Sequence, residues 1–204
     1  MQSNRDVFEK MSVPKALATL AAPTIVSQII TMVYNLADTV FIGSTNDPSK
    51  VAASSVAFVL VFAMNCLSNL FGVGGGSLIS RLLGEKRDGD AASVSSFSFW
   101  GSFAISALYS VLIFIFMEPF LYFLGATDSS IGYAKDYAFW VVVIGAIPST
   151  LGMTMSHLLR SEGYAKYSSF GLGFGGVLNI ILDPIFMFVI LEPVMRLRVR
   201  LLQP

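Results

Sequence analysis

Apolar residues form five long runs along the chain, and short polar connectors separate them. The runs cover about residues 14–43, 51–82, 93–117, 132–157 and 167–191. Each reaches the roughly 20 residues that an α-helix needs to cross the hydrocarbon of a bilayer at about 1.5 Å per residue. The connectors are rich in Gly, Pro, Asn and Asp, as is typical of tight turns. The pattern therefore predicts an all-α membrane protein, a bundle of five transmembrane helices.

Composition supports this prediction. The chain has 204 residues, of which 54% are hydrophobic and 13% are charged, and its mean hydropathy is +0.71. A soluble domain usually carries about 25% charged residues. The net charge is zero, which gives no indication of a nucleic-acid partner. The apolar composition makes the lipid bilayer the expected partner. The single Cys66 lies in an apolar run and is expected to be a small buried residue.

Basic residues near the ends of the runs predict the orientation in the membrane, because cytoplasmic loops carry an excess of Lys and Arg. One side holds eight of them, namely Arg5, Lys10, Lys15, Arg81, Lys86, Arg87, Arg160 and Lys166. The other side holds Lys50 and Lys135 before the last few residues. The count places the N-terminus in the cytoplasm. Arg196, Arg198 and Arg200 follow the fifth run and would lie outside, against the rule.

Two carboxylates lie inside the apolar runs and are the main candidates for chemistry. Asp38 is in the first run, and Asp183 is in the fifth, one helical turn after Asn179 and directly before Pro184. Ionisable residues at such positions are costly and usually face a protein interior or an aqueous pathway for ions or protons. Pro184 frees the carbonyl of Ile180 and is expected to kink the helix. Carboxylate, amide and carbonyl oxygens of this kind suit Na⁺. A carboxylate in an apolar site can instead hold a proton.

Other interpretations of these residues remain open. Asn179 and Asp183 could simply hydrogen-bond helices together, and Asp38 could lie close enough to the headgroups to stay hydrated. Pro23 frees the carbonyl of Thr19 and is a candidate hinge in the first run. An intramembrane aspartyl protease would need a Gly-x-Gly-Asp motif, which neither Asp has. No enzyme and no cofactor is therefore expected, and a channel or structural membrane subunit is the alternative to a transporter.

Four segments together resemble the multidrug and toxic compound extrusion (MATE) family of secondary transporters. They are APTIVSQ at 22–28, NLADTVFIG at 35–43, GGGSLISRLLG at 74–84 and NIILDPIF at 179–186. The likeness covers about residues 10–192 and is similar to the bacterial DNA-damage-inducible branch. It implies a cation site at Asp38, Asn179 and Asp183, with Pro23 governing the bending of the first helix. It also implies export of cationic or amphipathic drugs and toxins across the bacterial inner membrane in exchange for Na⁺ or H⁺.

The end of the chain departs from the family pattern. Members of the family have twelve helices in two six-helix lobes, so residues 1–192 would be an N-terminal lobe without its sixth helix. Residues 193–204 are expected to be a frameshifted or non-native tail. If one base is restored after the codon for Pro193, codons can be chosen whose translation ends in Gly-Ala-Ala-Ile-Ala-Thr. This sequence resembles the start of the family's sixth helix. Without a second lobe, the chain is expected to be inactive as a transporter by itself.

Overall fold

The computed structural model describes residues 12–44 and 48–184, and this part of the chain is helical without strands. The helices, numbered in chain order, are α1 (Val13–Ser44), α2 (Pro48–Gly84), α3 (Asp88–Ile115), α4 (Met117–Phe123), α5 (Ile131–Tyr137), a π-helical stretch (Ala138–Ile144), α6 (Ala146–Ser161) and α7 (Ala165–Pro184). The predicted all-α class is confirmed. The end of the fifth predicted span, the boundary at 192 and the tail 193–204 lie outside the described residues.

Several of these helices have the dimensions of membrane spans. Among the described residues, the helices over Val51–Gly84 and Asp88–Ile115 are long and apolar enough to cross a bilayer. The bent pair Ile131–Ile144 and Ala146–Ser161 qualifies as a third if it is counted as one span. A shorter apolar stretch, Leu17–Val33, lies within α1. The five predicted spans thus correspond in position to α1, α2, α3, the α5–α6 pair and α7.

The fourth span is not the continuous helix that the sequence predicted over 132–157. Its two halves are bent by 50° relative to each other, and the break lies at Gly145. The Gly145 N–H donates to Trp140 O at 3.1 Å, five residues back, which is π-helical spacing. Pro148 has no N–H for the carbonyl of Ile144, so the regular ladder cannot continue through this point. The bend therefore has a local cause in the sequence.

The centre of the bundle is formed by α2, α3 and α6, and small residues let these helices approach closely. A Cβ added at Gly75 would lie 3.0 Å from Ser98 Cβ, and one added at Gly72 would lie 2.9 Å from His157 Cδ2. Ser68 on α2 donates to Thr150 O on α6 at 3.3 Å. In lipid, close backbone approach and interhelical hydrogen bonds replace the hydrophobic effect as the source of packing energy.

The outer surface is apolar, as expected where lipid is the solvent. Phe97 is 71% exposed, Trp100 is 64% exposed and Phe123 is 85% exposed. Cys66 is also exposed, so its predicted burial was wrong. The error has a physical reason, because in a membrane an apolar run does not distinguish the inner face of a helix from the lipid-facing one.

Candidate functional site

The candidate cation site depends on two helices, α1 and α7, which are far apart in sequence and lie side by side. Among the described elements, α1 packs mainly along α7 and has little contact with α2. The helix α7 also contacts α6. Near their N-terminal ends, Leu17, Ala21 and Ala165 line one cavity. Further along, Ile30 Cδ1 lies 3.3 Å from where a Cβ of Gly173 would be. The two helices therefore run in the same direction.

This packing fixes which turns of α1 and α7 lie at the same level. Gly173 follows Ile30 by 143 positions, and the same offset carries Asp38 to position 181. That position is two residues from Asn179 and two from Asp183, or about 3 Å along the helix axis in each direction. If the two helices keep this register, the backbone positions of all three candidates are expected at about the same level.

The side chains of the three candidates lie outside what the structure describes. Their assignment as cation ligands stays a prediction.

The structure describes the two predicted helix-bending residues unequally. Pro23 is half-buried inside α1, which remains helical from Val13 to Ser44. Thr19 and Ser27, on either side of it, donate their hydroxyls back to Lys15 O at 2.8 Å and to Thr24 O at 2.9 Å. Such bonds favour modest bending of a helix. Pro184 is the last residue of α7, so its predicted kink concerns residues beyond those described.

Hydroxyl clusters between helices are the polar feature that the sequence analysis missed. Thr154 Oγ1 lies 3.4 Å from Ser68 Oγ and donates to Ser68 O at 3.4 Å. Where α6 packs on α7, Ser168 of α7 accepts a hydrogen bond from Arg160 Nε at 3.1 Å and donates one to Ser156 O at 2.9 Å. Thr150 and Thr154 are four residues apart on one face of α6, and this spacing was the available signal.

Within the side chains that the structure describes, no three His, Cys, Asp or Glu residues gather as a metal site. The three candidate side chains fall outside that search. A site of two carboxylates and an amide contains oxygen ligands, which suits hard cations.

Comparisons with known proteins agree with the fold. The MatE family model matches residues 23–185. The chain is 32% identical over 181 residues to the multidrug export protein MepA of Staphylococcus saprophyticus, covering 89% of this chain and 40% of that protein. The MepA protein of Staphylococcus haemolyticus is 29% identical over the same length. The chain thus spans about two-fifths of the length of these curated relatives.

Solved structures of MATE transporters also match this chain. An outward-facing multidrug resistance MATE family transporter of the MOP superfamily matches with a TM-score of 0.84 and 25% identity, over 93% of this chain and 41% of that one. A MATE structure in the straight conformation matches with a TM-score of 0.85 and 25% identity. Because the family model covers most of the chain and the apolar helices agree with it, this multi-pass membrane protein belongs to the MatE family.

Proposed function

We propose that this chain supplies the cation-coupling lobe of a secondary active multidrug exporter. The exporter would move cationic or amphipathic compounds outward in exchange for Na⁺ or H⁺. The observation that supports the proposal is the packing of α1 along α7. If the register at Ile30 and Gly173 is extended along both helices, it predicts a common level for positions 38, 179 and 183. The relatives named as multidrug export proteins support outward transport of drugs.

The proposed coupling chemistry uses Asp38, Asn179 and Asp183. Two carboxylates close together in apolar surroundings repel each other, so a bound cation or a shared proton stabilises the pair. Na⁺ would take the carboxylate oxygens and the Asn179 amide oxygen, with Pro184 leaving the Ile180 carbonyl free as a further oxygen. H⁺ would bind one carboxylate directly. In both cases, binding of the cation reduces the negative charge that Asp38 on α1 and Asp183 on α7 carry.

Coupling requires that cation binding favours one conformation of the lobe over another, since a ligand shifts an equilibrium only by its difference in affinity for the two states. We propose that α1 is the element that moves. It packs along α7 and has little contact with α2, so bending it at Pro23 disturbs few other helix contacts. Movement of α1 would then change access to the substrate pathway, as in alternating access.

The proposed location is the bacterial inner membrane with the N-terminus in the cytoplasm. The excess of basic residues at one end of the spans supports this orientation. The whole exporter would also need a second lobe, since the chain covers about 40% of its curated relatives.

The test is Asp183→Asn in a version of the protein that includes the second lobe. The substitution removes the charge at nearly constant volume, so cation-driven drug efflux should be lost while membrane insertion is kept. Asp128→Asn is the matched control, because it makes the same chemical change at an exposed residue between α4 and α5. Efflux is followed in vesicles under an imposed Na⁺ gradient and, separately, an imposed pH gradient.

Each result bears on the proposal. Normal efflux by the Asp183→Asn variant would overturn the site assignment. Drug movement that only follows the drug's own gradient, with no uphill transport under either cation gradient, would favour a channel or structural subunit instead. The gradient that drives uphill transport identifies the coupling ion.

A further inference from the structure

The two halves of the fourth span belong to different hydrophobic clusters. The first half, Ile131–Ile144, consists of α5 and the π-helical stretch and is called the α5 arm below. It contributes Ala138 and Val142 to a cluster with residues of α2, α3 and α4. The second half, α6, contributes Leu158 to a separate cluster that includes Ile79 of α2. The bend in the span therefore lies between two separately packed regions of the bundle.

The helix α6 is anchored to α2 by hydroxyl groups along its length. Ser68 of α2 donates to Thr150 O at 3.3 Å and accepts at its own carbonyl from Thr154 Oγ1 at 3.4 Å. At the other end of α6, Ser80 of α2 donates to Ser161 O at 3.1 Å. The second half of the span is thus fixed to a continuous neighbouring helix.

The α5 arm is joined to its neighbours in a different way. Lys135 Nζ pairs with Glu118 Oε2 of α4 at 2.7 Å, and this pair is solvent-accessible at the end of the bundle. On the π-helical stretch, Val143 O accepts a hydrogen bond from Ser110 Oγ of α3 at 2.5 Å. Ser110 therefore connects the arm to α3 close to the bend.

The Val143 carbonyl depends on a donor from another helix when the stretch has π-helical spacing. That spacing pairs a carbonyl with the N–H five residues later, which for Val143 is Pro148, and proline has no N–H. A carbonyl left without a donor in apolar surroundings is costly. The hydroxyl of Ser110 meets this need. The bond from Ser110 therefore stabilises the bent arrangement specifically.

Gly145 is suited to be the pivot. Its N–H donates to Trp140 O with π-helical spacing, and a Cβ at this position would lie 2.4 Å from Val141 O. A side chain here would push the Val141 carbonyl away and disfavour the bent arrangement. Hinges absorb a change of direction at a few residues, and π-helical turns within a helix often mark functional sites.

We propose that the fourth span is a hinge, in which the α5 arm pivots at Gly145 on the anchored α6 and the Ser110 hydroxyl is the latch of the bent state. In the released state, the Gly145 N–H bonds to Val141 O, four residues back, in place of Trp140 O. The pivot changes the width of the bundle at the end that carries α4 and α5. It is separate from bending of α1 and does not rest on drug transport or on the cation site.

The test measures distances between pairs of spin labels by double electron–electron resonance on the 204-residue chain in liposomes, with Cys66→Ala as background. The reporting pair is Gly132→Cys on the arm and Leu108→Cys on α3, both at exposed positions. Complete straightening of an arm of about 20 Å, bent by 50°, would move its tip by about 17 Å. The control pair is Leu108→Cys and Met155→Cys, which joins α3 to the anchored α6.

Two variants act on different parts of the hinge. Ser110→Ala removes the latch, and Ser102→Ala is its matched control on the same buried face of α3. The Ser102 hydroxyl bonds within its own helix, to Phe99 O at 2.9 Å, so its loss leaves the arm untouched. Gly145→Ala adds a Cβ against Val141 O and keeps Ser110 in place, so it decides the question if Ser110→Ala does not fold.

The bent distance should dominate in the wild type and in Ser102→Ala. Ser110→Ala should raise the ratio of released to bent molecules about threefold, the equivalent of about 0.6 kcal/mol for an interhelical hydrogen bond in a membrane. Gly145→Ala should make the released distance the major one, while the control pair keeps its distance. One unchanged distance in both Ser110→Ala and Gly145→Ala, an equal shift in Ser102→Ala, or a change in the control pair would overturn the proposal.

Discussion

Gly145, at the bend of the fourth span, provides the most direct test of the packing described above. A Cβ added there would lie 2.4 Å from Val141 O and 3.1 Å from Val141 C. The shorter distance is about 1 Å below ordinary contact. Gly145 itself has φ −80° and ψ −15°, which any residue adopts, so the cost of Gly145→Ala is steric and not conformational. Overpacking of this kind costs about 1–3 kcal/mol. The obstacle is backbone, so the π-helical stretch must shift as a unit.

Gly152→Ala in α6 is the matched control. A Cβ at Gly152 meets nothing within 4 Å, and the residue is exposed. Both substitutions gain the roughly 1 kcal/mol by which Ala favours a helix over Gly, so this gain cancels in the comparison. Gly145→Ala should therefore be less stable than Gly152→Ala by about 1–3 kcal/mol. Unfolding by SDS in mixed micelles, followed by circular dichroism, measures the difference. Equal stability of the two variants would refute the close packing at Gly145.

Three further predictions follow from the helix contacts. Pro23→Ala, in a version with both lobes, restores an N–H for the Thr19 carbonyl and stiffens α1. Drug efflux should therefore fall while thermal stability is kept or rises. Unchanged efflux would exclude a hinge at Pro23. Thr154→Val removes both hydrogen bonds to Ser68 at nearly constant volume and should destabilise the protein by about 0.6–1.7 kcal/mol in SDS unfolding, with no loss expected if these bonds are unimportant. The 204-residue chain alone should give drug-sensitive bacteria no resistance, because alternating access needs two lobes; resistance equal to that from a version with both lobes would contradict this.

The positions of the helices could be predicted from the sequence because runs of about 20 apolar residues are a length signal that needs no tertiary information. The bend in the fourth span could not. Gly145 and Pro148 were visible in the sequence, but both residue types are common in unbent membrane helices. Only the hydrogen bond from Gly145 N–H to Trp140 O shows where the ladder shifts.

Burial could not be predicted from hydrophobicity, as the exposed Cys66 shows. The buried face of α3 carries Ser98, Ser102, Ser106 and Ser110, while Phe97 and Trp100 point outward. This is the reverse of a soluble helix, since lipid accepts large apolar side chains and helix contacts need small ones. The four-residue spacing of the serines was the signal for the inner face.

The candidate cation site was predictable in part. Asp38 and Asp183 are conspicuous in apolar runs because of their charge alone. The sequence could not give the register of α1 on α7, because it depends on which turns of two distant helices touch. Contacts such as that between Ile30 and Gly173 supply that register.

The pairing of α1 with α7 has a consequence for biosynthesis. The chain leaves α1 at Ser44 and does not begin α7 until Ala165, 121 residues later. At roughly 5–20 residues per second, the ribosome takes between about 6 and 24 s to cover that distance. During this interval α2, α3 and α6 can assemble from neighbouring segments, while α1 waits in the bilayer without its principal neighbour. The first helix synthesised is thus among the last to dock, and slow translation ahead of α7 would prolong the period in which α1 is open to membrane proteases and chaperones.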